Sequence, residues 1–280
     1  MQTVLTESFK LRPSFVTKIR ETNAPRFSLE NIPKTEIADG RYITRFARTV
    51  EEIDAALRLR FEVFNLELNE GLESSFIFGR DEDKFDATCQ HLIVTDRFSN
   101  EVIGTYRVRT WETAQTPFGF YSSNEFTLED LPSRMLTESM EIGRACIARE
   151  HRNSRVLFLL WKGLAMYAAA KGKRYFFGCC SLTSQDCAEG KRAFQQLARD
   201  GHFHPNLRVS PREEFSCQTE NSIAEINEEI KLPKLFETYL RIGAKVCSEP
   251  AIDREFKTID FLVIIDTRSL SKKYYKMFFA

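Results

Sequence analysis

The chain has 280 residues, enough for one large domain or for one domain with a substantial extension. Its 40 Lys and Arg balance 40 Asp and Glu, so no global field points to nucleic acid, and any anion binding has to come from local charge. Seven cysteines, an odd number without paired C-x-x-C spacing, argue for reduced thiols in a cytoplasmic protein and against a disulfide framework.

The N-terminal stretch MQTVLTESFKLRPSFVTKIRETNAPRF has no apolar core of the kind a secretory signal needs. Residues 1–39 are polar, hold three of the nine prolines, and read as an arm outside the main core. Order is predicted to begin with a strand at RYITRFA, residues 41–47. Thr49 then opens a T-V-E-E capping box, and Ile53, Leu57, Phe61 and Phe64 follow at helical spacing, so a helix is expected to run to near Gly71. CQHLIVTD and EVIGTYRVRT flank the turn-rich RFSN and predict an antiparallel hairpin. After a loop rich in Phe, Thr and Ser comes a strand at ESMEIGRACI. A helix over 154–171 stopping at Gly172, and a strand at RYFFGCCS, complete a β-α-β-β-β-α-β order, which is a mixed α/β pattern. Helical patterns follow at 189–199, 221–230 and 233–242, then a strand TIDFLVIID and a basic, aromatic tail over 271–280. The most apolar run, residues 156–170, is 15 residues long and contains Lys162, short of the roughly 20 a membrane span needs. The expectation is a soluble protein, or at most a peripheral one.

Three places carry possible chemistry. In the strand, regular alternation would put Glu141 on one face and Arg144 on the other, unless a bulge re-aims them, and Gly143 is the cheapest site for one. An edge strand could show both charges to water. A central strand would make an unused Glu costly, and the flanking apolar segments favour the central position. Behind it, residues 142–174 hold eight Lys or Arg against one acid, Glu150. Asn153 or Ser154 can cap the helix whose positive end faces this loop, which is either a solvated charged loop or an anion site. The apolar helix implies packing roles alone for Trp161, Met166 and Tyr167. In RDEDKFD, Asp83 and Asp86 either hold a cationic substrate group or form an exposed acidic turn. The four histidines show no convincing metal-ligand spacing, so no metal is expected, and Cys179 and Cys180 read as buried structural thiols.

These motifs together resemble GNAT-type acyltransferases, and within them the acyl-carrier-protein-dependent N-acyltransferases of the L-ornithine N-acyltransferase or hemolysin-like family, more distantly the acyl-homoserine-lactone synthases. The resemblance rests on Arg60, Val63 and Phe64; Asp83, Phe85 and Asp86; Gly104 and Arg107; Glu141, Gly143 and Arg144; and the stretch LPKLFETYLRIGAKVCSEPAIDREF. It implies a GNAT-like domain over 40–270, with a largely antiparallel sheet flanked by helices and a helical and strand C-terminal extension. It implies transfer of a long-chain acyl group, 3-hydroxylated in some members, to the amino group of an amino acid such as ornithine. Glu141 would act as general base, and Arg144 would orient it or bind the acceptor's carboxylate. Asp83 and Asp86 would hold a cationic acceptor such as ornithine, Arg60 and Arg107 would brace that pocket, and Phe64 would belong to the same substrate site.

No tightly bound cofactor is implied, since the phosphopantetheine thioester comes from acyl carrier protein. One departure is specific: H-R-N-S-R at 151–155 has no glycine, where acetyl-CoA-dependent relatives have a glycine-rich pyrophosphate turn. A single phosphodiester on an acidic carrier suits a basic rim better, so Arg149, Arg152, Asn153, Ser154 and Arg155 are expected to hold the carrier's arm. Two alternatives stand beside this reading: a lactone-type synthase, and a non-catalytic module binding acyl carrier protein or the membrane, to which the tail KKYYKMFF could contribute.

Overall fold

A computed structural model describes residue 27, residues 32–217 and residues 229–280. Most of the polar arm, and the helical pattern at 221–230 up to residue 228, lie outside the described residues. In chain order the elements are β1 (Ile37–Asp39), β2 (Tyr42–Phe46), α1 (Val50–Phe61), α2 (Ser75–Phe78), β3 (Gln90–Asp96), β4 (Val102–Thr110), α3 (Ser133–Thr137), β5 (Ser139–Ile147), α4 (Ser154–Lys171), β6 (Tyr175–Leu182), α5 (Cys187–Arg199), α6 (Lys234–Ile242), β7 (Lys245–Val246), β8 (Ala251–Asp253), β9 (Thr258–Asp266) and α7 (Lys272–Phe279). The strands form one sheet in the order β1-β2-β3-β4-β5-β6-β9-β7, with β8 also on β9. Of these strand pairings among the described residues, β5–β6 alone is parallel.

Local chemistry accounts for the element ends. Thr49 Oγ1 accepts from the Glu52 amide and starts α1, which continues through a π-helical turn over Glu62–Glu67. Gly172 ends α4 at φ +64°, a left-handed conformation that costs glycine little. β1 corrects the expectation of an arm outside the main core at its C-terminal end, since it pairs with β2 and adds an edge strand.

The sheet has two unlike faces. Tyr106 and Val108 of β4, Met140 of β5 and Phe261 and Val263 of β9 pack with Leu160, Trp161 and Leu164 of α4. The tail, which could have met a membrane, instead forms α7 against α4, with Phe278 beside Trp161 and Phe158. No helix among the described residues is long and apolar enough to cross a membrane. The opposite face carries Arg107 and Arg109, Glu141, Cys179 and Asp260, and lies under α1 and the segments 80–88 and 111–132.

At the middle of the sheet β5 and β6 part. Their ladder stops at Glu141 opposite Phe177, and residues 142–147 of β5 keep only their pairing with β4. The two strands still approach closely at Gly178, where a Cβ would sit 2.2 Å from the Ile142 carbonyl oxygen, so no side chain fits there. Beyond it lies a cavity of about 280 Å³.

Candidate active site

The cavity crosses the sheet through the β5–β6 opening. Trp161, Phe176, Phe236, Tyr239, Val263 and Ile265 line its apolar side, and the Tyr106 and Tyr239 hydroxyls are paired there. Its polar side is lined by Glu70, Arg107, Arg109, Tyr121, Ser122, Glu141, Cys179, Ser181, Thr183 and Asp260. Trp161, expected to do nothing but pack, is therefore also cavity wall.

Glu141 stands at the junction, in a central strand and 6 % exposed. Its Oε2 accepts from the Tyr121 amide at 2.7 Å. Its Oε1 accepts from the Ser122 amide at 2.7 Å and the Ser122 hydroxyl at 2.6 Å. A carboxylate has about four acceptor positions, so one remains, on Oε2.

A bulge does interrupt β5, but not at Gly143, which still faces Arg107. The register shifts between Thr105 and Arg107, placing Arg144 and Ala145 opposite Tyr106, and Arg144 takes φ +49°. The extra residue turns the Arg144 side chain onto the face of Glu141. It makes no hydrogen bond or ion pair with Glu141, however. Its guanidinium lies 4.8 Å from the Tyr121 ring centre and 4.2 Å from that of Phe256, with ion pairs of 3.3 Å to Asp81 and to Asp83. Tyr121 is the link between them, giving its amide to Glu141 and its ring to Arg144.

The RDEDKFD segment is not an exposed turn. Asp81 and Asp86 are fully buried, and their carboxylates are committed to arginines of the chain. Arg60 holds Asp81 at 2.7 Å and Asp86 at 2.6 Å, and Arg107 holds Asp83 at 2.6 Å and Asp86 at 3.2 Å. Burial works against charge on Asp86, yet Arg60 and Arg107 keep its carboxyl far below the usual range; Asp83 is also lowered, against its burial, chiefly by Arg107. Neither Asp83 nor Asp86 lines the cavity, nor does Arg60, whereas Phe64 and Arg107 do. A cation could not reach the two aspartates without displacing an arginine, so they brace the wall.

The basic loop lies outside the cavity lining. Arg149, Arg152, Asn153, Ser154 and Arg155 are all exposed. Arg152 pairs with Glu67, the neighbour of the cavity residue Leu68, and Arg155 lies 3.3 Å from Asp39. Asn153 Oδ1 accepts from the amides of Arg155 and Val156, so the helix end read as a candidate anion site is already capped by its own chain.

The sequence reading missed five residues here. Tyr121, Ser122 and Glu125 come from the loop between β4 and α3, which has no periodicity to mark it. Arg109 sits across the ladder from Glu141 and is 1 % exposed. It donates to the hydroxyls of Thr88 and Thr116 and makes no ion pair among the described residues. Asp260 was visible as the one acid amid TIDFLVII. The carboxylate oxygens of Glu125 and Asp260 and the Cys179 sulfur lie within 4.8 Å of one another, a grouping whose donor types could hold a metal. Burial pushes the Cys179 thiol well above its ordinary range. All seven cysteines are free thiols.

Comparison with known proteins accords with this architecture. Residues 59–162 match the Acetyltransferase (GNAT) domain family. The L-ornithine N(alpha)-acyltransferase of Rhizobium meliloti is 33 % identical over 242 residues, covering 82 % of each chain. Its counterpart from Agrobacterium fabrum is 31 % identical over 84 % of each chain. That of Brucella abortus is 30 % identical over 84 % of this chain and 88 % of its own. Among solved structures, the AHL synthase LasI aligns with 86 % of this chain and 96 % of its own at 12 % identity and a TM-score of 0.49. Identity of this extent over most of the length shows that the chain is an acyltransferase and belongs to the L-ornithine N(alpha)-acyltransferase family.

Proposed function

We propose that the protein moves a long-chain acyl group, 3-hydroxylated where the donor carries it, from the phosphopantetheine of acyl carrier protein to the α-amino group of ornithine. The observation that carries this reading is the cavity through the sheet, which offers an apolar side for a chain and a polar side for an acceptor around Glu141. The relatives' names supply the acceptor.

The amine nitrogen attacks the thioester carbonyl; a C–N bond forms, the C–S bond breaks, and the thiol leaves with a proton. An α-amino group of pKa roughly 7.7–8 is largely protonated at neutral pH, so the reaction needs a proton acceptor. The remaining position on Glu141 Oε2 supplies one, directly or through water, an effect on the order of 10² to 10⁴ in rate. The amides of the bulged strand, which lack β6 partners, support an oxyanion. Arg109, the cavity-wall guanidinium without an ion pair among the described residues, would take the acceptor's carboxylate in place of Arg144, which is already engaged. The basic residues 149–155 would meet the acidic carrier outside the cavity rather than grip its phosphate at the capped helix end.

The test is Glu141→Gln assayed with a carrier-bound acyl donor and ornithine, read by mass spectrometry. Turnover is expected to fall on the order of 10²-fold or more while donor binding persists. Unchanged turnover would remove Glu141 as base. A lactone or another acyl product from the parent protein would overturn the acceptor.

A further inference from the structure

We propose that Asp260 and Glu125 form a cation subsite at the polar end of the cavity, which takes the side-chain ammonium of a diamino-acid acceptor; the assignment rests on the N-acyltransferase reading above.

Three observations carry it. Asp260, on β9 opposite Ser181 of β6, is 3 % exposed and lines the cavity. Its Oδ1 is buried with no hydrogen-bond partner among the described residues. Glu125, 1 % exposed, is not itself in the cavity lining but lies within 4.8 Å of Asp260 by their carboxylate oxygens and shares a hydrogen bond with it, its carboxylate's other contacts being the long ones of 3.9 Å from the cavity-lining Cys179 thiol. The contrast with Asp81, Asp83 and Asp86 is direct, since each of those has an arginine. No arginine or lysine pairs with Asp260 or Glu125 among the described residues; Arg144 eases Glu125 only from a distance, its own ion pairs going to Asp81 and Asp83. Two buried carboxyls without a counter-charge are costly, and a group brought by the substrate removes that cost. Burial, then repulsion from Asp260 and Asp253, pushes Glu125 well above the usual carboxyl range; burial, with Asp253 adding to it, raises Asp260 to about 6 against a hydrogen bond with Glu125 that works the other way. An arriving cation releases the proton they retain.

The position suits an acceptor with two amines. The Ser122 hydroxyl that donates to Glu141 is also 3.4 Å from Cys179 Sγ, which reaches Glu125. Glu141 and the acid pair are therefore separated by two small side chains, with one amine at Glu141 for attack and the other at the pair for recognition. An ammonium suits the pair because its N–H donors match carboxyl oxygens, one of which has no hydrogen-bond partner among the described residues, and the group contains no histidine. A neutral acceptor of the same length would leave the carboxyls without a partner, which is how such a site discriminates.

The experiment compares L-ornithine with L-norvaline, which has the same carbon chain without the second amine, as acceptors for the full-length protein and its Asp260→Asn and Glu125→Gln variants. The ornithine-to-norvaline ratio of kcat/KM is expected to fall at least about tenfold in each variant, carried by the KM for ornithine. Calorimetric titration with ornithine alone reads the same subsite without turnover, and binding should weaken in parallel. An unchanged ratio in folded variants, an equal loss for both acceptors, or a stoichiometric metal in the purified protein would overturn the subsite. If the parent protein binds ornithine but not norvaline and yet transfers no acyl group, the subsite stands and the functional reading fails. If it acylates ornithine and norvaline equally, the reading stands and the subsite fails.

Discussion

Asp260 and His91 are both buried, and burial sets them against pH in opposite directions. His91 is lowered from its ordinary value to about 4, because burial disfavours its charged form more than Asp86 favours it. Its folded pKa lies below its unfolded one, so the stability it permits is complete above about 6.5 and is lost as pH falls towards 4. Asp260 is raised to about 6 by burial, so its folded pKa lies above its unfolded one. Its contribution is complete at low pH and is lost as pH rises through 6. Asp260→Asn should therefore raise the thermal midpoint of the ligand-free protein at pH 8, and the gain should shrink towards pH 5. Scanning fluorimetry across that range checks it, and a gain independent of pH would show that Asp260 is not titrating. The sequence shows why such residues are unevenly legible. Glu141 announced itself as an acid beside an arginine in a strand, and Asp260 left a trace as an acid inside an apolar run. Glu125 left none, since an acid in a loop is ordinary until the loop is seen to fold over the sheet.

The elements were the most legible level, because each rests on a local signal. The T-V-E-E cap, the hairpin turn, the apolar helix ended by Gly172 and the strand TIDFLVIID all lie where periodicity and capping place them. What stayed hidden depends on partners far away in sequence. β1 exists because β2 offers an edge, and the bulge falls at Arg144 because Tyr121 and Phe256 stack on its guanidinium and Asp81 and Asp83 pair with it. The tail could be read as a membrane-facing segment or as a docked element, and α7 docks. Phe278 is 7 % exposed and packs on Trp161, itself a cavity residue. Phe278→Ala should cost about 3–5 kcal/mol in a denaturant titration and should also weaken transfer of long acyl chains through Trp161. A change below about 1 kcal/mol would mean that the docked position of α7 contributes little to the fold.

At the scale of the whole molecule, the proposed reaction puts its two substrates on opposite sides of one sheet. Its α4 face is apolar and its α1 face carries the buried charges, and the cavity connects them where β5 and β6 diverge. An acyl chain lying on the α4 side meets Val263, which is on β9 directly across the ladder from Gly178 and lines the cavity. A larger side chain there shortens the apolar side without touching Glu141, Arg109 or Asp260. Burial of one methylene is worth about 0.8 kcal/mol, roughly fourfold in binding, so each methylene excluded should cost long donors about that factor relative to short ones. Val263→Phe should therefore move the preferred donor to shorter chains in a competition among acyl thioesters of graded length, with the KM for ornithine held. If the preferred length stays fixed while the KM for ornithine rises, the two sides have been assigned the wrong way round: the acceptor would lie against α4 and the acyl chain among the charges, an arrangement that would leave Arg109 and Asp260 facing hydrocarbon.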